Sequence, residues 1–369
     1  MVSSNDEFSS SEAMQLLSTL VLRPEETGAW QPSGAFLTQC VGLSRERFDE
    51  LVSLAGANHV IVRGLRVFLG IVRGAHDGQR TEWASAALNR EEQRIQTTLS
   101  FMGEICAAFE QQGLDITVIK SLDHWPDQGS DLDLYTNAAP PQVIGLLKSE
   151  FLAKVAPRSW GDRLACKWNF VIPGLPEPVE IHIGRLGQTG EQVEFAAAIP
   201  RRSRAMEVAG RRYRVPSPTD RLIISTLQRM YRHFYFRLCD MTDSVALVES
   251  GSMDFADLEA TARAAGIWRG VATYLKIVSD YVKRYRGRGL RLPESVTVAA
   301  RFGAERVYYG QGFLRIPLLP HSASLYSSQL TGLLRRRELN NSARLGLLPW
   351  LATAAVVGQK ITGSDKGIW

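Results

Sequence analysis

The segment SDLDLYT, residues 130–136, constrains this chain most, because it places two acids at alternate positions between leucines. Successive side chains of a strand point to opposite faces, so Leu132 and Leu134 share one face while Asp131 and Asp133 share the other. Two carboxylates on one side of a strand are typical either of a solvated edge or of a metal site. The spacing by itself leaves both interpretations open.

A later segment, PVEIHIG (178–184), repeats the alternation with a third acid. Its β-branched residues form an apolar face, and Glu180 and His182 form the polar one. Carboxylate oxygens suit Mg²⁺, which completes its coordination with water and substrate phosphates. Such a site bridges a triphosphate and activates an acceptor hydroxyl for phosphoryl transfer. The two segments together therefore predict a magnesium site formed by Asp131, Asp133 and Glu180.

Hydrophobic periodicity divides the chain into three parts and predicts an α+β (α/β) fold with a mixed sheet and flanking helices. Residues 1–88 are predicted to form an N-terminal helical region, 89–217 the α/β core, and 218–369 a helical C-terminal domain. The core should begin with an amphipathic helix that is capped by Asn89 and stopped at Gly113.

The remaining elements follow from alternation, turn residues and spacing by threes and fours. We expect strands at 115–120, 130–136, 167–172 and 178–184, a helix at 140–151, and a hairpin that turns at Gly210. From residue 219 an apolar seam predicts one helix of about thirty residues. The opposite stripe of that helix would carry Arg229, His233, Arg237, Asp240 and Ser244.

Composition limits the possible partners and compartments. The 369 residues are 45% hydrophobic, and the formal charge of +5 mildly favours anionic partners such as nucleotides or RNA. The four cysteines lie far apart with no C-x-x-C pair, which argues against a zinc site and a disulfide framework. The N-terminus lacks the features of a signal peptide, and the apolar stretch 345–358 is too short for a membrane span. We therefore expect a cytoplasmic protein with no membrane span and no sequence-specific DNA binding.

At these motifs the sequence resembles the nucleotidyltransferases of the DNA polymerase β superfamily, in particular a bacterial family of mostly uncharacterised members. That family shows a strand ending in Lys-Gly, a loop, an Asp-x-Asp-Leu strand and a later strand with an acid and x-His. The corresponding segments here are VIKS (118–121), SDLDL (130–134) and VEIH (179–182), and the resemblance continues into DMTD (240–243). It covers roughly residues 95–250.

The resemblance implies a Mg²⁺- or Mn²⁺-dependent enzyme that transfers a nucleoside monophosphate, AMP by default, from an NTP to a hydroxyl or amine. Asp131 and Asp133 would bind metal, and Glu180 would bind metal or act as the base. Ser121 would meet the β- and γ-phosphates through its hydroxyl and N–H groups, beside Lys120. The other residues expected to contact the nucleotide are Ser130, His182, His233 and Arg237. The acceptor stays open between a small molecule, an RNA end and a protein side chain.

Departures from the family pattern keep other hypotheses open. Ser121 stands where glycine is expected, Glu180 replaces aspartate, and Asp127 and Gln128 stand where a basic residue often precedes the first acid. One alternative is a nucleotide-binding or scaffold protein that retains the fold with weakened chemistry. Another is a metal-dependent glycosyltransferase, because such enzymes also use D-x-D to hold a nucleotide-sugar diphosphate.

Single residues have structural interpretations as well. His182 is alternatively a hydrogen-bonded strand histidine. Arg237 alternatively pairs with Asp240 or Asp243 on a solvated helix face. Lys167 lies at a strand end, where it either reaches a phosphate or is simply solvated.

Overall fold

The computed structural model describes residues 10–22, 33–351 and 353–354. Residues 352 and 355–358 of the apolar stretch 345–358 therefore lie outside the described residues. The helices are α1 (Ser10–Val21), α2 (Gly34–Val41), α3 (Arg45–Ala57), α4 (Ile61–Gly74), α5 (Gly78–Gln111), α6 (Pro140–Phe151), α7 (Trp160–Leu164), α8 (Val193–Arg202), α9 (Pro218–Thr226), α10 (Leu238–Glu249), α11 (Phe255–Ala264), α12 (Trp268–Arg286), α13 (Glu294–Ala299), α14 (Ala323–Arg335) and α15 (Leu339–Gly346). The strands are β1 (Thr117–Val118), β2 (Leu132–Thr136), β3 (Lys154–Val155), β4 (Lys167–Val171), β5 (Val179–Ile183), β6 (Arg204–Val208), β7 (Arg211–Val215), β8 (Tyr235–Phe236), β9 (Tyr308–Gly310) and β10 (Phe313–Arg315).

A five-stranded mixed sheet holds the segments that carry the acids, in the order β1-β2-β5-β4-β3. Strands β2 and β5 are parallel neighbours, and the other pairs are antiparallel. The parallel register places Asp133 opposite Glu180 and Leu134 opposite Ile181. Both of these apolar residues are fully buried. The predicted α+β class with a mixed sheet is confirmed.

Helix α5 crosses the boundary that the sequence suggested at residue 89. Its N-cap is Asp77, whose carboxylate accepts a backbone N–H of the first turn, so the predicted start at Asn89 is wrong. The helix extends because Ala84 and Leu88 continue the buried face that packs near α4. Its end agrees with the prediction, since Gly113 follows the helix with a left-handed φ of 67°.

The helix predicted to run about thirty residues from residue 219 is interrupted. Helix α9 continues into a π-helical turn, Leu227–His233, and Phe234 then adopts a left-handed φ of 56° before β8 and α10. Arg229 and Asp240, predicted on a polar stripe, instead form a buried ion pair with Nε and Oδ2 2.7 Å apart. A straight helix would separate these two residues by three turns. The ion pair can therefore form only because the helix is interrupted between them.

Within the predicted helical C-terminal domain, β8, β10 and β9 form a small antiparallel sheet. In that sheet Tyr235 stacks on Phe313 with ring centroids 4.4 Å apart. The predicted hairpin at Gly210 is present as β6 and β7. One hydrophobic core extends from α1 through the five-stranded sheet to α12 and α14. None of the described helices is long and apolar enough to cross a membrane.

Candidate functional site

The predicted acids come together at the centre of the five-stranded sheet. A carboxylate oxygen of Asp133, one of Glu180 and a ring nitrogen of His182 all lie within 4.8 Å of one another. These three side chains are buried, whereas Asp131, just before β2, stays partly exposed. Repulsion by Asp133, followed by burial, raises the pKa of Asp131 to about 6. The side chain of Glu180 thus turns toward the aspartates.

Lys120 balances the charge of these carboxylates. Strand β1 is shorter than the predicted 115–120, and Lys120 follows it with a left-handed φ of 59°. The Lys120 ammonium group contacts Asp133, and its Nζ lies 3.7 Å from Oε1 of Glu180. Burial alone would lower the pKa of Lys120, but Asp133, Glu180 and Asp131 raise it above its usual value. The ammonium group therefore stays charged beside the acids.

Glu180 has two further partners on its own side of the sheet. The Nε2–H of His182 donates to Oε1 of Glu180 at 2.8 Å. Lys167 Nζ lies 2.8 Å from Oε2 of Glu180 and 3.0 Å from Oδ1 of Asp162, so the interpretation of Lys167 as a solvated strand end is wrong. Burial would raise the pKa of Glu180, but Lys120 and the His182 hydrogen bond hold it well below its usual range.

Ser121 uses its polar groups within the protein. Its hydroxyl accepts the backbone N–H of Asp133 at 2.8 Å and donates to the carbonyl of Asp131 at 3.3 Å. Its own N–H donates to the carbonyl of Ile119 at 2.6 Å. These groups were expected to meet the β- and γ-phosphates. In the structure they instead form hydrogen bonds within the protein, and those of the hydroxyl join the turn to β2. Ser121 thus fixes the backbone of both aspartates.

Two pockets are lined by neighbours of the acids, although Asp131, Asp133 and Glu180 themselves line neither. The first encloses about 40 Å³ and is lined in part by Lys120, His182, Gly187, Gln228 and Arg232. The second encloses about 180 Å³ and is lined in part by His59, Arg94, Gln128, Gly129 and Ser130. Of the residues predicted to contact a nucleotide, Lys120 and His182 therefore share one pocket, while the exposed Ser130 lines the other.

His233 and Arg237 lie at the interruption between α9 and α10, and the charge of Arg237 reaches Asp131. Burial, followed by several nearby cations that include Lys120, holds the pKa of His233 well below its usual value. The His233 ring packs against Tyr235 with centroids 5.5 Å apart. The Arg237 charge acts on Asp131, where it partly opposes the larger upward shift in pKa.

The guanidinium of Arg237 forms no ion pair with Asp240 or Asp243, although its backbone N–H donates to Oδ2 of Asp240 at 2.6 Å. Asp240 pairs with Arg229, and Asp243 pairs with Arg63 through Nη1 and Oδ1 at 2.8 Å. The guanidinium of Arg237 lies instead over two aromatic rings, 5.8 and 5.9 Å from their centroids. Its position near the acids therefore does not result from an ion pair on a solvated helix face.

Sequence reasoning missed Asp162, Gln228 and Arg232. The contact of Asp162 with Lys167 depends on the short helix α7, which no periodicity indicated. Gln228 and Arg232 reach the first pocket from the π-helical turn, whereas a regular α-helix would orient them differently. The pairing of Lys167 with His182 joins two segments that the sequence predicted as strands, although it did not predict that those strands are neighbours.

Neither the protein-family models nor the curated proteins compared with the chain match it. The α+β fold with its mixed sheet is established by the structure itself. What the site does must therefore be inferred from the chemistry of its own residues.

Proposed function

We propose that this protein is a Mg²⁺-dependent nucleotidyltransferase that moves a nucleoside monophosphate, by default AMP from ATP, to a hydroxyl or amine acceptor. One observation carries the proposal: Asp133 and Glu180 lie side by side on parallel strands, with Asp131 just ahead on the same segment. Carboxylates gathered from neighbouring segments can hold the metal that assists phosphoryl transfer.

The donor groups at the acids suit Mg²⁺. Carboxylate oxygens are its preferred protein ligands, and Asp131 and Asp133 would hold it. The Lys120 ammonium already lies against carboxylates from two strands, which indicates that the local potential favours a cation. When bound, the metal neutralises charge on the triphosphate and lowers the pKa of the acceptor hydroxyl.

The side chains around the acids have different roles in the proposed reaction. Lys120 and Arg232 line the same pocket, so together they would bind phosphate oxygens once Lys120 leaves the carboxylates. That pocket is small, so NTP binding requires this movement of Lys120. Lys120 and His182 hold the pKa of Glu180 well below its usual range, which suits this carboxylate to ligate the metal rather than to accept the proton of the acceptor.

The scaffold hypothesis has its own support. Lys120 and Lys167 already neutralise Glu180, and the polar groups of Ser121 are hydrogen bonded within the protein. A protein with this arrangement can bind a nucleotide and still transfer nothing. Binding and transfer must therefore be measured separately.

The test is label transfer from α-³²P-labelled ATP, GTP, CTP and UTP in the presence of Mg²⁺ or Mn²⁺ and cell extract. We expect wild-type protein to label an acceptor and Asp131→Ala to reduce labelling by roughly 100-fold or more, since the charge stabilisation is lost. Glu150→Ala is the matched control, because Glu150 is an exposed acid on α6 of the same core.

Three outcomes would count against transfer. Nucleotide binding without labelling in any extract supports the scaffold hypothesis. Equal labelling by wild type and Asp131→Ala shows that a contaminating enzyme is responsible. Transfer of the sugar from a labelled nucleotide sugar, with none from the NTPs, supports a glycosyltransferase.

A further inference from the structure

Two histidines and a cysteine from three separate segments meet near the second pocket. His59 lies between α3 and α4, His124 lies in the loop after β1, and Cys239 lies in the first turn of α10. One ligand atom from each of the three lies within 4.8 Å of the other two. Cys239 is completely buried and His59 nearly so, whereas His124 keeps some exposure.

One pair of these ligand atoms, from Cys239 and His124, is spaced nearly as in a metal site. Sγ of Cys239 lies 3.9 Å from Nε2 of His124. A tetrahedral zinc ion holds a thiolate sulfur and an imidazole nitrogen about 3.6 Å apart, given the usual bond lengths. The rings of His59 and His124 meet edge to face with centroids 5.3 Å apart. A shift of a few tenths of an ångström would bring Cys239 and His124 to coordination distance.

A carboxylate orients one of the ligands. Nδ1–H of His124 donates to Oδ2 of Asp243 at 2.5 Å, and Asp243 is itself held by Arg63 at 2.8 Å. This hydrogen bond directs the Nε2 lone pair of His124 toward Cys239. Histidine ligands of zinc commonly carry such a carboxylate on their other nitrogen.

We propose that His59, His124 and Cys239 bind one Zn²⁺ ion, with a solvent molecule as the fourth ligand. His59 also lines the second pocket, which gives the ion and the water a route to the site. Binding releases the thiol proton of Cys239, because the thiolate is the form that ligates metal. The site does not depend on the proposed transferase activity, since none of its ligands belongs to the acidic cluster.

The segments that carry His59 and Cys239 are joined without the metal. The side-chain oxygen of Asn58 accepts the backbone N–H of Leu238 at 3.1 Å, and its carbonyl accepts that of Cys239 at 3.2 Å. Asn58 thereby caps α10 and fixes the residue next to His59 against the turn that bears the cysteine. This part of the site is preformed.

The loop that carries His124 is held to α4 in a similar way. Asp127 accepts the backbone N–H of Val62 at 2.5 Å and that of Arg63 at 3.3 Å, at the N-terminus of the helix. The point of attachment, Asp127, lies three residues after His124 in the same loop. A bound ion would then connect the N-terminal helical region, the α/β core and the C-terminal helical domain, which contribute His59, His124 and Cys239 respectively.

The metal would also affect the acids indirectly. A Cβ atom on Gly129 would lie 3.2 Å from Cε1 of His59 and 3.6 Å from Oδ1 of Asp131, so both side chains pack on this glycine. Fixing His59 would therefore restrict the backbone that leads to Asp131.

The test begins with the purified full-length protein after treatment with a chelator. We expect one Co²⁺ per chain, with the absorption of tetrahedral cobalt and a thiolate-to-cobalt charge-transfer band, and displacement of cobalt by Zn²⁺. X-ray absorption of the zinc form should show one sulfur at about 2.3 Å and two nitrogens at about 2.0–2.1 Å. These measurements need only the wild-type chain.

Variants then assign the ligands. Cys239→Ser should abolish the charge-transfer band, while Cys106→Ser, another buried cysteine, should retain it. Asp243→Asn should weaken zinc binding about 10- to 100-fold. The proposal is overturned if wild type binds less than stoichiometric zinc and cobalt, if the zinc shell contains no sulfur, or if Cys239→Ser keeps the band. Stoichiometric copper in the isolated protein would overturn the choice of metal, because a His₂Cys set also suits copper.

Discussion

Asp133 and Glu180 lie directly opposite each other on adjacent parallel strands, and the Lys120 ammonium group lies against both carboxylates. The cluster therefore contains its own counter-ion. Any metal that binds these acids must compete with this lysine or displace it. This relationship between carboxylates and ammonium leads to the first two predictions.

Replacing Lys120 with methionine should destabilise the metal-free protein by about 3 kcal/mol, because buried carboxylates lose their partner. Mg²⁺ should restore part of this loss, since the ion would replace the missing charge. Urea unfolding with and without Mg²⁺ measures both effects. Lys148→Met, which changes an exposed lysine on α6, is the control. An equal loss of stability in the two variants would refute the role of Lys120.

The stability of the protein should depend on the ionisation of Asp131. Its pKa is about 6 in the folded chain against the usual 3.8, so the folded state holds the proton more tightly than the unfolded state. The Asp131 contribution to the free energy of unfolding must therefore fall as the pH rises from about 4 to about 6. Asp131→Asn removes this contribution. The variant should gain stability relative to wild type across that window, as measured by urea unfolding at several pH values.

Arg229 and Asp240 should be strongly coupled, because the pair is almost completely buried. Arg229→Met alone should cost about 3–5 kcal/mol, since it leaves the Asp240 carboxylate buried without its partner. The double variant Arg229→Met with Asp240→Asn should recover much of that loss. A double-mutant cycle by urea unfolding gives the coupling energy, and the exposed Arg66–Glu92 pair provides the comparison with little coupling. Additive losses at the buried pair would contradict this prediction.

Under the proposed function, Arg232 should contribute to binding of the NTP. It lines the first pocket together with Lys120, and a charge-assisted hydrogen bond to phosphate contributes about 1.5–3 kcal/mol. Arg232→Ala should weaken NTP binding roughly tenfold or more, with a smaller effect on binding of the nucleoside. Calorimetric titration with ATP, AMP and adenosine separates these effects. Equal affinities of wild type and variant for ATP would place the triphosphate elsewhere.

The sequence predicted that Asp133 and Glu180 would meet, because alternation on a strand fixes which side chains share a face. Leu134 and Ile181 are buried, and Asp133 meets Glu180, as the patterns at 130–136 and 178–184 indicate. The role of Ser121 was not predicted. Its hydroxyl is hydrogen bonded to the backbone of Asp131 and Asp133, ten and twelve residues away. The spacing of nearby residues does not indicate hydrogen bonds over that distance.

Cysteine spacing argued against a zinc site, yet the proposed ligands meet in space. Spacing rules detect ligands on one segment, whereas His59, His124 and Cys239 come from three segments that only packing brings together. The sequence by itself determined which residues share a face in the strands at 130–136 and 178–184, since alternation along a strand is a local property. The break after α9, the buried Arg229 and the convergence of distant side chains were decided by tertiary structure, because burial and pairing depend on residues far apart in the chain.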